Sequence, residues 1–413
     1  MSPGVPFHLQ RDTLSLKTIR SNMKYIAVGR RYPWRKTSCM SSLCGPCRLS
    51  SGYVKEVSGV NKTQYGRSYL RWFWWSLPLA TLTAAAAVVQ WNRLMKKSRE
   101  GTLEEAKDWE VTCYRSVPLR VFSRGWGWVS SRELPVKLRP LLYSKYISLF
   151  NVNLEEAASD DLTSYPTLGD FFCRPLKDGV RPIDCTDCVV SPADGRVLSV
   201  GKVQSDKVEQ VKGVTYSLKT FLGECTWKQS TDHVPNDTSV KDDYLHTVLE
   251  NKENALYQCV VYLAPGDYHR FHSPVDWTVF FRRHFQGELL SVNPTIAQWI
   301  PDLFALNERA VYVGHWKHGF FAYAAVGATN VGSIHVYFDK SLKTNQRKWH
   351  RGEPRHKDLY IPDGINISKG QPFGEFRLGS TIVILFEAPQ DFNFRLKPGD
   401  KILVGEALSH CVR

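Results

Sequence analysis

Acidic residues are almost missing from the first hundred positions, which hold 3 Asp+Glu against 17 Lys+Arg, whereas residues 101–413 hold 37 of each. The whole formal net charge of +14 is therefore N-terminal. A basic nucleic-acid domain would spread positive charge over a folded face with reader elements, and none is visible, which argues against that class. Residues 1–65, rich in Arg, Lys and Ser, instead have the composition of a mitochondrial targeting presequence, the alternative being a disordered basic tail. No Gly-rich phosphate loop and no Gly-Xaa-Ser-Xaa-Gly elbow occurs, which weakens nucleotide-enzyme and α/β-hydrolase readings. Nor do the ten cysteines offer a complete metal site. Cys44-Gly45-Pro46-Cys47 copies a redox pair but lies in the basic segment, without the β-α context that would lower a thiol pKa. Cys185-Thr186-Asp187-Cys188 has no second pair at suitable spacing, so no metal is expected.

Charge is also absent from residues 72–91, which run from Trp72-Phe73-Trp74-Trp75 through Ala84-Ala85-Ala86-Ala87-Val88-Val89 to Trp91. As a helix rising roughly 1.5 Å per residue, this stretch spans the ~30 Å hydrocarbon layer, with tryptophans at both ends. One transmembrane helix over 72–91 is the reading. Basic residues flank both sides, Arg71 before and Arg93, Lys96, Lys97 and Arg99 after, so charge does not set the orientation.

The remaining residues, 92–413, suffice for one large domain. Short β-rich runs at 197–203, 258–264, 311–314, 333–338 and 381–386, separated by Gly/Pro turns, predict an α+β fold with a mainly β body. Peripheral helices are expected around 103–111 and 138–150. Two polar stretches, 224–254 and 340–356, read as surface loop insertions that touch none of the motifs below. Residues 396–406 resemble the turn-and-strand ending of lipoyl-type sandwiches, as architecture only, because no carrier lysine sits in the expected hairpin.

Chemistry gathers in three segments. Gly379-Ser380 precedes the β-branched and aromatic run Ile382-Val383-Ile384-Leu385-Phe386, which places a serine on a rigid strand edge after a residue whose backbone takes up strained angles. Asp194 lies in the Pro/Gly-framed turn Ser191-Pro192-Ala193-Asp194-Gly195. His269 and His272 stand three residues apart in Tyr268-His269-Arg270-Phe271-His272, where Arg270 reads as a surface charge. An acid, a histidine and a serine from separate loops are the parts of a relay nucleophile, the acid fixing the imidazole tautomer and the imidazole taking the hydroxyl proton.

These motifs, with Leu168-Gly169-Asp170-Phe171-Phe172, Ser291-Val292-Asn293-Pro294, Asn307-Glu308-Arg309 and Gly374-Glu375-Phe376-Arg377-Leu378-Gly379-Ser380-Thr381, occur in the order found in the phosphatidylserine decarboxylases. The chain resembles that family from about 117 to 408, and its mitochondrial animal branch most. The resemblance implies autocatalytic cleavage between Gly379 and Ser380, giving a beta chain (1–379) and an alpha chain (380–413) that remain together as a heterodimer. Ser380 is thereby converted to a covalent pyruvoyl group, the cofactor, whose ketone forms a Schiff base with the substrate amine. Phosphatidylserine then loses CO2 and leaves as phosphatidylethanolamine. By the same resemblance Asp194 and His272 activate Ser380 for cleavage, while His269 orients the substrate carboxylate or transfers a proton; its alternative is a plain hydrogen bond to nearby backbone. The implied location is the inner mitochondrial membrane, single-pass, with the catalytic domain facing the intermembrane space. Two other readings remain: a pyruvoyl enzyme for a soluble amino acid, opposed by the span, and an anchored lipid-binding protein that no longer reacts, opposed by the intact Asp194, His272, Gly379 and Ser380.

Overall fold

The structure, a computed structural model, describes residues 89–98, 100–185, 189–211, 213–228, 244–329, 333–346, 356–377 and 379–409. The expected presequence, positions 72–88 of the expected span, and Cys44, Cys47 and Cys188 lie outside the described residues. Among the described residues no helix is long and apolar enough to cross a membrane.

The body is an eight-stranded, wholly antiparallel sheet in the order β10-β6-β7-β8-β12-β4-β1-β13. Its strands are β1 (Gly195–Lys202), β4 (Ala255–Leu263), β6 (Trp277–Phe285), β7 (Arg309–Trp316), β8 (Gly319–Gly327), β10 (His356–Ile367), β12 (Ser380–Ala388) and β13 (Lys401–Ile402). The 381–386 run becomes the middle of β12, and both of its faces are covered. Val383 and Leu385 pack with Val260, Leu256 and Phe281 in one cluster. Ile382, Ile384 and Phe386 pack with Val261, Tyr257 and Tyr323 in another. A strand buried on both sides has no polar alternation, which is why β12 reads as a continuous apolar run.

Each face has its own cover. On the first lie the small sheet β2 (Lys207–Val211) and β3 (Val214–Ser217) and the short helices α5 (Leu218–Leu222), α6 (Tyr244–Val248), α7 (Pro294–Trp299) and α8 (Leu303–Leu306). Tyr244 and Val248 belong to that cluster, so the 224–254 segment inserts its far end into the core rather than staying on the surface. On the second face lies the three-stranded sheet β5 (Arg270–His272), β11 (Pro372–Phe376) and β9 (Ile334–Val336), in the order β5-β11-β9. The other polar stretch also reaches a motif: Asn345 N–H donates to Glu308 Oε1 at 3.0 Å.

After a helical segment over 89–98, the described residues before the sheet include α1 (Asp108–Ser116), α2 (Leu119–Ser130), α3 (Arg139–Phe150) and α4 (Leu168–Phe172). The first starts later than the expected 103–111 because Ala106 N–H bonds Trp299 O at 2.7 Å, holding the approach non-helical until Glu110 returns to Lys107 N–H at 2.9 Å. The expected helix at 138–150 forms as α3, with Pro140 in its first turn and Asn151 left-handed at its end. Helix α2, which periodicity did not reveal, buries only Ser123 and Ser130 and turns Phe122, Trp126 and Trp128 outward.

Candidate active site

Ser380 opens β12, paired in register with Leu263 of β4 and Gly327 of β8. It is fully buried, and among the described residues its Oγ has no hydrogen-bond partner. An unsatisfied buried hydroxyl costs about 1–3 kcal/mol, so the fold keeps this one at a disadvantage to its stability. Gly379 before it has φ +24°, the left-handed side that favours glycine, and a Cβ there would meet open space. The same residue lines a cavity of ≈ 420 Å³ whose other walls include Trp126, Leu142, Leu149, Phe150 and Phe172. One side of the candidate scissile bond is thus locked in the sheet, and the other opens on an apolar hollow beneath α2 and α3.

His269 packs against Phe172, the two rings 3.9 Å apart between centroids. It is buried, and burial pushes its pKa down to about 3, so the ring is neutral. Asp267 O, which can only accept, is 2.9 Å from Nδ1 and therefore receives its proton, as the backbone alternative anticipates. Nε2 keeps its lone pair and has no partner. The described residues therefore include two buried orphans, Ser380 Oγ and His269 Nε2, and Phe172, which packs on the His269 ring, lines the same cavity as Gly379.

His272 is fully engaged. Its Nδ1 donates to Gly370 O at 2.9 Å, which leaves Nε2 to accept from the Tyr268 hydroxyl at 3.1 Å. Burial lowers its pKa, a shift that the Gly370 bond and the negative charge of Asp194 oppose. Asp194 makes no hydrogen bond to either histidine. Its carboxylate accepts from Arg181 Nη2 at 2.6 Å and Nε at 3.1 Å, and from Val404 N–H at 2.8 Å, while Arg181 Nη2 also meets Glu156 at 2.6 Å. The Asp-Gly turn is dictated by space: a Cβ on Gly195 would stand 2.2 Å from Tyr262 O. The structure therefore brings Asp194 and His272 together in charge but joins neither to Ser380 by a hydrogen bond.

Several participants carried no sequence signal. Tyr268 sits inside a recognised motif, but nothing in that string says that its hydroxyl caps His272. Arg181 and Glu156 belong to no motif and reach Asp194 only through the fold. Arg270 departs from the expected surface charge: its Nε donates to Cys173 O at 2.8 Å, tying β5 to the end of α4. Cys185 is exposed.

The sequence profile of the phosphatidylserine decarboxylase family matches residues 168–410, which include every candidate site residue. A mitochondrial phosphatidylserine decarboxylase proenzyme of Cricetulus griseus is 45% identical over 393 residues, covering 91% of this chain and 95% of its own length. The Rattus norvegicus proenzyme is 50% identical over 345 residues, or 80% of this chain and 84% of that one. The mitochondrial proenzyme 1 of Saccharomyces cerevisiae is 38% identical over 445 residues, covering 87% and 88%. With matches of this extent over a site of this composition, the chain belongs to the phosphatidylserine decarboxylase family.

Proposed function

We propose that this chain cleaves itself between Gly379 and Ser380, and that the product decarboxylates phosphatidylserine to phosphatidylethanolamine at a membrane surface. The enzyme is a phosphatidylserine decarboxylase whose covalent pyruvoyl group derives from a serine. One observation supports Ser380 as that serine: its hydroxyl is buried and unpartnered, directly after an open, positive-φ glycine. Oγ attacks the Gly379 carbonyl, and the acyl group passes from nitrogen to oxygen as the C–N bond breaks. Elimination then frees the Gly379 carboxylate, and hydrolysis releases ammonia to leave the ketone. That ketone supplies the electron sink for the charge left behind by CO2.

The chain's own residues divide the proton work. Gly370 fixes the His272 tautomer, so Nε2 is a proton acceptor, and serving Ser380 requires the Tyr268 hydroxyl to give up its place. Asp194, held by Arg181 and Val404, supplies the negative charge that favours the imidazolium. His269, neutral with an unpartnered Nε2, is assigned to the later step, where it orients the substrate carboxylate or transfers a proton.

The helices supply the route for a lipid. Phe122 and Trp128 are each 60% exposed on α2, and Leu149 is 75% exposed on α3, an arrangement that suits an interfacial apolar layer. Trp126, Leu142 and Leu149 continue from that surface into the cavity that ends at Gly379. The protein is mitochondrial. We place it in the inner membrane with 72–91 as its one span and the catalytic domain in the intermembrane space; carbonate extraction should leave it in the pellet, and release into the supernatant would remove the span.

The roles are tested on denaturing gels. Asp194→Asn and His272→Ala should accumulate uncut precursor, whereas His269→Ala should cleave and fail mainly in decarboxylation. A reversal of the two histidine phenotypes would exchange their assignments.

A further inference from the structure

Against α2 lies a second cavity of ≈ 290 Å³ lined by Trp128 of that helix and by Arg124, Ser130, Ser131, Asn345 and Arg377 among others. No carboxylate lines it. Arg124 is half-buried and makes no hydrogen bond or ion pair with any described residue. Arg377 is only loosely balanced, by Glu375 at 3.6 Å. Two arginines line the same cavity, one with no partner among the described residues and one held only loosely by Glu375, beside a helix that turns Phe122 and Trp128 outward. The surrounding 119–150 stretch has six Lys+Arg and one Glu, so the local field attracts anions.

We infer that this cavity binds the phosphodiester of a membrane phospholipid other than the one being decarboxylated. The inference rests on the reading that α2 meets a lipid surface. With Phe122 in the apolar layer and Trp128, which also lines the cavity, at its boundary, the cavity lies at headgroup depth. Guanidinium forks match phosphate oxygens, and Arg124 donates to no described residue. Arg377 stands two residues before Gly379, so an occupied cavity also ties the lipid surface to the segment that ends at the scissile bond.

The probe is dihexanoyl-phosphatidylglycerol, added to full-length protein in mild detergent and counted as adducts by native mass spectrometry. It has no amine, so uncleaved Ser380→Ala protein should bind it as the mature enzyme does, and the result is independent of decarboxylase activity. Arg124→Gln and Arg377→Gln should each weaken an adduct about tenfold or more, as expected for the loss of a charged hydrogen-bonding partner. Normal processing of Arg124→Gln into two chains would verify its fold. Adducts equally strong in wild type and both variants, or no adduct at all, would overturn the site. Glycerol phosphate binding as tightly as the lipid would overturn its membrane source.

Discussion

In the sheet, large apolar side chains point inward from both faces of β12; in the helical cap formed by α2 and α3, they point outward. The same residue types do opposite work in the two regions. Val383, Leu385, Ile384 and Phe386 are removed from water by the protein itself, so they hold Ser380 in register whether or not a membrane is present. Phe122, Trp128 and Leu149 remain in water unless something covers them. The reactive bond lies where the regions meet, with Ser380 anchored in one and Gly379 facing the cavity roofed by the other. Self-cleavage should therefore depend on the sheet, and lipid turnover on both.

The largest effect should come from breaking the sheet. Phe386→Ala removes a fully buried ring that touches Tyr257, Trp316, Phe321 and Phe392. A loss of about 3–5 kcal/mol is expected, a large share of a typical folding free energy. Uncut precursor should accumulate, and thermal unfolding in detergent should occur at markedly lower temperature; unchanged processing and unfolding would mean that the sheet does not hold the cleavage geometry.

A smaller and selective effect is expected from the cap. Phe122→Ser with Trp128→Ser should unfold within about 1 kcal/mol of wild type and cleave normally, since neither side chain is buried. Activity on bilayer phosphatidylserine should fall about tenfold or more, from lost burial of two aromatic groups, with little change on a short-chain soluble analogue. Equal loss on both substrates would erase the distinction between the regions.

The smallest effect is electrostatic and separates the site from both regions. His269 has its pKa lowered from 6.5 to about 3 by burial, so the folded chain keeps it neutral while the unfolded chain protonates it. Its contribution to stability is complete above pH 6.5 and declines as pH falls through the window down to about 3. His269→Gln should therefore show a shallower loss of stability on acidification than wild type, measured by unfolding at stepped pH. Parallel acid slopes would mean that the ring is not held neutral.

How much of this was legible depended on which way each side chain faces. The β12 run and the Ser380, Asp194 and histidine motifs could be read directly, because a strand buried on both faces and a string of fixed spacing are both local signals. Strand β6 escaped because Arg282, Arg283 and His284 interrupt it. They look solvated in sequence but are buried against Asp339 at 3.0 Å, Asp358 at 2.7 Å and Glu308 at 3.0 Å. Strand β10 escaped because of Pro362 and Gly364, which an edge strand with a register shift between Tyr360 and Ile365 tolerates. Helix α2 escaped because Gly125 and Gly127, poor helix formers, stand in its middle. The Arg181 clamp on Asp194 and the Tyr268 cap on His272 join residues through tertiary structure, for which no local pattern exists.

The claim that Ser380 cleaves its own chain is tested most directly by the intact mass of the purified protein under denaturing conditions. The prediction is two chains, the smaller comprising residues 380–413 with a ketone in place of its N-terminal amine and a mass that rises by one hydroxylamine adduct, while Ser380→Ala remains a single chain. A wild-type protein of one uncut chain, or a Ser380→Ala variant that still splits at the same bond, would contradict it.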